Sequence, residues 1–366
     1  MRILALMTDG FGGRGGIARF NHNFFEALSS LPGVEKITIL TRTQWDDVAK
    51  IPEKVRQERP DVSKTRYVLH SLKKMVWDGP FDMIFCGHIN LIIPAVFIGK
   101  LFNRPVWLQL HGIEAWTKPS WLKRWACEHV WGVTAVSRYT RRKFLSWSGM
   151  DPGFVKVLPC CHVNNHEYRA SAAAALRSKL DLISGKIILS VGRMDPHEKY
   201  KGFDLVIKAL PGLLKIIPNA VYLIVGEGRD RLRLESLARQ EGVFDKVLFA
   251  GFVKEEALTA YYQAADVFVM PSRGEGFGIV YLEAMAAGLS VIALNSGGAA
   301  DALQDGRLGR LIKEEELAKA LEDGLAGKHK KSGDLEKQAA GVFGYAHFKK
   351  WIQTWIENFP AEPLPC

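Results

Sequence analysis

Between residues 186 and 294, five short apolar runs recur: KIILSVGR, AVYLIVGEG, KVLFAGF, DVFVMPS and SVIAL. Helix-patterned stretches separate them. This alternation is the strongest constraint on the fold. Runs that are apolar at nearly every position cannot leave one face in water, so they predict strands of a parallel sheet covered by helices on both faces. A less regular alternation precedes it. Strands are predicted at residues 2–8, 37–42, near Tyr67, and at 81–88, 105–112, 132–137 and 155–160, with an amphipathic helix over 17–31. Residues 163–185, polar and then alanine-rich, read as a linker. Beyond Leu311 the chain reads as helical to its end, apart from the polar patch KHKKSGD.

The chain of 366 residues exceeds what one hydrophobic core organises, so two α/β domains are expected. Tryptophan marks the boundary: eight of ten lie between Trp45 and Trp147, and the other two, Trp351 and Trp355, are near the C-terminus. The last helix therefore shares the composition of the first half. The expected division is 1–165 together with 346–366, and 166–345. No run of eighteen apolar residues predicts a membrane span, and MRILALMT reads as a buried strand rather than a signal peptide. Five cysteines without CxxC spacing (Cys86, Cys127, Cys160, Cys161, Cys366) predict reduced thiols, no zinc site and a cytoplasmic protein. A net charge of +10 favours anionic partners. No basic–aromatic motif of the nucleic-acid-binding kind is present, and no nucleic-acid partner is expected.

The chemistry centres on RGEGFGIVYLEAMAAG, residues 273–288. A strand leads into a glycine-broken loop and then a helix, whose unpaired first amides form a phosphate-facing site. Glu275 falls in the loop and Glu283 in the helix. At helical rise they would lie about 12 Å apart. That exceeds the roughly 5–9.5 Å of a hydrolytic carboxylate pair and suits gripping two ends of one long ligand. Arg193 ends the first strand of the same half, and Lys201 follows just before Gly202. Two cations at one sheet edge can neutralise a diphosphate leaving group. With no Asp-x-Asp pair in evidence, they are expected to replace a divalent ion, and no metal or cofactor is expected.

In the first half, Gly10, Gly12 and Gly15 form a G-x-G-x-x-G after a strand. The strand that follows ends in ITILTR without the acidic residue that holds an NAD ribose, which argues against a dinucleotide; Arg42 leaves NADP open. A loop over residues 13–16 that lets a diphosphate or sugar reach backbone amides fits better. His111, before Gly112 and Glu114, ends a buried strand where ligands of parallel sheets bind, and His88 ends another.

The set GGRGGIARF, HG at 111, VGR…YKGFD, GEG at 226 and PSRGEGFGIVYLEAMAAG resembles glycosyltransferase family 4, the large retaining family with the GT-B fold. The last segment matches that family's E-x7-E signature. The resemblance implies two Rossmann-like domains facing a central cleft, an acceptor-binding N-terminal domain, a nucleotide-sugar-binding C-terminal domain, and a last helix that returns to domain one. It implies that Glu275 and Gly276, with the amides of Phe277 and Gly278, hold the donor sugar, and that Glu283 holds the ribose. Arg193 and Lys201 would neutralise the diphosphate, Gly15 and Gly16 would approach it, and His111 would lie by the reaction centre. The implied function is retaining transfer of a sugar from a UDP-sugar or GDP-mannose to a glycan or lipid-linked acceptor in cell-surface polysaccharide or lipopolysaccharide synthesis. A nucleotide-sugar 2-epimerase shares the fold and is the alternative.

On the acceptor side, Trp121, Lys123, Arg124 and Trp125, then Arg141, Arg142 and Lys143, set aromatic rings beside cations. Such a face fits a lipid headgroup layer and argues for transferase over epimerase. It predicts an anionic membrane surface as a partner, with peripheral association at the inner face of the membrane.

Overall fold

A computed structural model describes residues 1–13, 15–43, 51–162, 170–327 and 333–358. Among them the chain divides into two compact units, Met1–Cys161 with Tyr345–Cys366, and His162–Gly344.

The first unit is built on strands β1 (Arg2–Met7), β2 (Lys36–Thr41), β3 (Val55–Gln57), β4 (Met83–Cys86), β5 (Val106–Leu110), β6 (Gly132–Ala135) and β7 (Val155–Val157). All pair in parallel, in the order β3-β2-β1-β4-β5-β6-β7. Right-handed crossovers then dictate where the helices go. The helices Lys64–Trp77, Ile92–Leu101, Trp121–Glu128 and Arg138–Leu145 all precede rightward steps and share one face. There Leu4, Leu6, Ile84, Cys86, Leu108 and Leu110 pack against Tyr67, Met75, Ala95, Cys127 and Phe144. On the other face, helices Gly16–Ser29 and Tyr345–Glu357 cover the sheet. Phe24 stacks on Phe85 at 4.6 Å, and Trp107 meets Phe24, Phe85 and Trp355 at 5.3, 5.3 and 5.8 Å. Burying side chains of this size stabilises the fold by about 1.5–3 kcal/mol each. Trp107 Nε1 donates to Thr134 Oγ1 at 2.8 Å, which donates to Gln109 Oε1 at 2.5 Å; the buried Trp355 Nε1 has no hydrogen-bond partner among the described residues.

The second unit is built on β8 (Lys186–Val191), β9 (Ala220–Val225), β10 (Val247–Gly251), β11 (Val267–Met270), β12 (Val291–Leu294) and β13 (Arg310–Ile312), also parallel, in the order β10-β9-β8-β11-β12-β13.

Three sequence expectations change. The strand expected near Tyr67 is a helix, Lys64–Trp77, capped by Ser63 accepting from the Arg66 amide. Its buried positions Tyr67, Ser71 and Met75 recur every four residues, a helical period. Two short edge strands, β3 and β13, are present where none was expected. The linker expected at 163–185 contains a helix, Ala170–Lys179, fastened to the second unit: Arg177 donates to the Asp266 carboxylate at 2.7 Å and to the Ala264 and Gly185 carbonyls at 2.8 and 2.9 Å. Residues 163–169 and 328–332, which include part of the expected linker and part of the KHKKSGD patch, lie outside the described residues, as does Cys366. The other four cysteines are buried and form no disulfide. No helix of the described residues is long and apolar enough to cross a membrane.

Candidate active site

Each sheet has one point where the chain reverses its direction of travel across the strands, leaving a crevice at the carboxyl ends. In the second unit that point lies between β8 and β11. The segment after β8 carries Arg193 and Lys201, and the segment after β11 carries Glu275. The topology thus brings residues eighty positions apart to one edge.

Close backbone approach holds the segments together. Gly202 adopts φ 77°, and a Cβ there would sit 2.3 Å from the Pro271 carbonyl oxygen. The Arg273 amide donates to the Tyr200 carbonyl at 2.7 Å, and the Gly298 amide to the Glu275 carbonyl at 2.7 Å. Gly278 precedes the helix Ile279–Ala286 at φ 90° and offers no side-chain cap; its carbonyl accepts from the Tyr281 amide at 3.0 Å, and no side chain of Gly278 covers the amides of Ile279 and Val280.

The charges on this edge interact. Lys201 Nζ lies 2.8 Å from Glu198 Oε2, and Arg193 pairs with the other Glu198 oxygen. Burial works to raise the Glu198 pKa, but the two cations outweigh it and hold the carboxyl below its usual value. Glu275 goes the other way. Burial raises its pKa, aided by the Glu198 charge and opposed by Lys201 and by a hydrogen bond from Ser272. Burial and the Glu275 charge also raise the Tyr200 hydroxyl. Glu283 Oε2 accepts from the Tyr262 hydroxyl at 2.7 Å. Phe277 is buried edge-on against Phe343.

In the first unit the corresponding crevice lies between β1 and β4. Gly15, at φ 89°, precedes the helix Gly16–Ser29, and nothing lies within 4 Å of where its Cβ would be; Arg14 is outside the described residues. His111, past the end of β5, is buried. Its Nε2 donates to the Gly87 carbonyl at 3.0 Å, its ring meets Phe20 edge-on at 5.1 Å, and its amide donates to Glu114 at 2.6 Å. Burial lowers its pKa to about 4 despite the nearby Glu114 charge, so the imidazole is neutral at neutral pH. Burial lowers the His88 pKa as well.

Sequence reasoning missed Glu198 and Tyr262. Glu198 had a usable signal, a carboxylate inside the eight-residue step from Arg193 to Lys201. Tyr262 had none, because its partner lies on another helix. Among the predicted acceptor-face residues, Trp121 and Trp125 are exposed, Lys123 donates to Asn90 at 2.8 Å, and Arg124 pairs with Glu128 at 2.8 Å. Arg142 and Lys143 lie over the Tyr139 ring, whereas Arg141 is held by the Val155 and Pro152 carbonyls at 2.7 and 2.8 Å. Among the described residues no group of three or more His, Cys, Asp or Glu is placed to hold a metal ion.

Two family models match, described as "Glycosyltransferase Family 4" over residues 14–162 and "Glycosyl transferases group 1" over residues 175–341. A GDP-mannose-dependent monoacylated alpha-(1-6)-phosphatidylinositol monomannoside mannosyltransferase of Corynebacterium glutamicum is 36% identical over 320 residues, 81% of each chain. A GDP-mannose-dependent alpha-(1-6)-phosphatidylinositol monomannoside mannosyltransferase of Mycolicibacterium smegmatis is 28% identical over 333 residues, 84% of this chain and 85% of that one. Among solved structures, Anabaena HepE in complex with UDP-glucose superposes with a TM-score of 0.80 at 19% identity, covering 98% of this chain and 100% of that one.

Proposed function

Because the chain belongs to glycosyltransferase family 4 and is a glycosyltransferase of GT-B fold, we propose that it transfers a mannosyl group from GDP-mannose to a lipid-linked acceptor with retention of configuration. The observation that carries this reading is the edge of the second sheet, where Arg193, Lys201 and the uncapped helix at Gly278 converge beside a desolvated Glu275. The two sequence relatives named above use GDP-mannose, which favours that donor over a UDP-sugar.

In this reading Glu275 and the amides of Gly276, Phe277 and Gly278 hold the sugar hydroxyls, and Glu283, oriented by Tyr262, holds the ribose. Gly15, with nothing within 4 Å of where its Cβ would be, and Gly16 are assigned to the donor's phosphates. As the bond from the sugar's anomeric carbon to the diphosphate breaks, Arg193 and Lys201 take up the charge left on the phosphate oxygen. The acceptor oxygen bonds to that carbon on the same face, and its proton passes to the departing phosphate. His111, neutral and donating to a backbone carbonyl, serves as a hydrogen-bonding group by the sugar rather than as a cation. Donor choice is read by a thermal-shift panel: millimolar GDP and GDP-mannose are expected to raise the melting midpoint by several degrees, and UDP and ADP sugars to leave it near the free value. A larger shift with UDP-glucose than with GDP-mannose would overturn the donor assignment.

The acceptor's lipid would be met by the helical face opposite the Gly16–Ser29 helix. Its four helices carry a single carboxylate, Glu128, and each carries lysine or arginine. Large apolar side chains stand out among these cations: Trp77, Phe97 and Trp121 are 72%, 57% and 78% exposed. Lys73 lies over the Trp77 ring at 5.7 Å, and Lys100 over Trp125 at 5.1 Å. Rings flanked by cations suit an anionic headgroup layer. In flotation assays the protein is expected to rise with vesicles containing phosphatidylglycerol and not with phosphatidylcholine alone. High salt should weaken that association, and the W77S/W121S double variant should lower it about tenfold. Equal recovery with both vesicle types would exclude an anionic surface as the partner.

A further inference from the structure

Glu198 lies between the two cations of the second unit's edge, paired to Lys201 at 2.8 Å and to Arg193. Its own side chain is 16% exposed, whereas that of Arg193 is 66% exposed, so the pair forms at the open side of the crevice with the carboxylate behind. The turn that carries it, Pro196–Lys201, is fixed without it. Asp195 Oδ1 accepts from the His197 amide at 3.0 Å at the start, and the Tyr200 carbonyl accepts from Arg273 near the end. The Glu198 carboxylate therefore makes its contacts with the cations rather than with the backbone of its turn.

A carboxylate bridging two cations presents what one phosphate presents: two oxygens sharing a negative charge. We propose that Glu198 is an internal stand-in for the donor's diphosphate. It holds Arg193 and Lys201 while the site is empty, yields them to the incoming diphosphate and recovers them as the nucleoside diphosphate leaves. This rests on the assignment of Arg193 and Lys201 to the donor. Two unscreened cations side by side would repel each other when free and hold the product tightly when bound. A competing carboxylate reduces both effects and favours release.

Glu198→Gln keeps the shape of the side chain and removes its charge. By calorimetric titration with GDP and UDP, E198Q is expected to bind the preferred nucleotide about tenfold more tightly than wild type, consistent with loss of one competing charge. E198D, which retains the carboxylate, should stay near wild type. In turnover, E198Q should show lower kcat and stronger inhibition by the nucleoside diphosphate. Should glutamine perturb the turn, E198A tests the same charge and should again tighten binding. Unchanged or weaker binding in the charge-free variants, with K201A binding much more weakly than wild type, would overturn the stand-in and leave Glu198 as an orienting group. Wild-type affinity in K201A would overturn the donor-site assignment itself, whatever Glu198 does.

Discussion

A Glu275→Gln protein is expected to lose about a hundred- to thousandfold in kcat/KM while melting at or above the wild-type midpoint. The two effects share a cause. Burial raises the Glu275 pKa, and the opposing charge of Lys201 does not cancel it. A carboxyl whose folded pKa exceeds its unfolded value contributes stability below the unfolded pKa and loses that contribution as pH rises through the folded one. Wherever it ionises, the carboxylate is therefore held at a cost to the fold. Glutamine keeps the volume and removes the charge, so the strain is relieved and the grip on the sugar is lost. The midpoint difference between variant and wild type should shrink as pH falls toward 4.5, where wild-type Glu275 protonates more readily. Melting curves for both proteins from pH 4.5 to 8, with initial rates alongside, give the comparison. A variant melting several degrees below wild type at neutral pH would show that Glu275 holds the loop together rather than straining it.

Gly202→Ala is expected to destabilise the second unit by about 2–4 kcal/mol, the sum of a left-handed backbone and a steric collision. The added methyl would sit 2.3 Å from a backbone carbonyl oxygen at Pro271 and 3.0 Å from that residue's carbonyl carbon and Cγ. Neither partner is the free end of a flexible side chain. Because Lys201 immediately precedes Gly202, loss of nucleotide binding should accompany the fall in stability. Gly212→Ala is the contrasting substitution. It lies in the helix Phe203–Leu214 with nothing within 4 Å of the added carbon, and should be neutral or stabilising by up to ~1 kcal/mol. Urea denaturation midpoints of the two variants test the pair, and equal midpoints would remove the collision as the reason.

The parallel architecture was legible because its strands are apolar at nearly every position, a pattern few other arrangements tolerate. The order of the strands was not. That β4 inserts beside β1, and β11 beside β8, depends on which crossover lies on which face, and no local pattern records it. Tyr67 was misread because the run YVL combines an aromatic and a β-branched residue, both favoured in strands, while the helical spacing of its buried positions needs a longer window. The alanine-rich segment was misread as a linker although alanine is the strongest helix former; what anchors it, Arg177 to Asp266, spans 89 positions. At the site, Arg193, Lys201 and Glu275 stood out because each follows a strand and lies beside glycine, and Glu283 because it lies eight positions after Glu275 in the helix that follows. Glu198 carried a signal in its place between Arg193 and Lys201, whereas Tyr262 acts through a contact with a neighbouring helix, so its role emerges only in three dimensions.

The first unit is assembled from two stretches of chain with all of the second unit between them. Trp355, from the later stretch, packs on Trp107 and Trp131, and a Cβ on Gly132 would lie 3.0 Å from its ring. During synthesis the second unit, being continuous, can close while the first still waits for its last helix. Until then the trough lined by Trp107 and Trp131 is open to water. Contacts this distant in sequence close slowly, and exposed aromatic surface is what chaperones and aggregation both act on. The order of folding is thus written into the connectivity: the half made first is the half finished last.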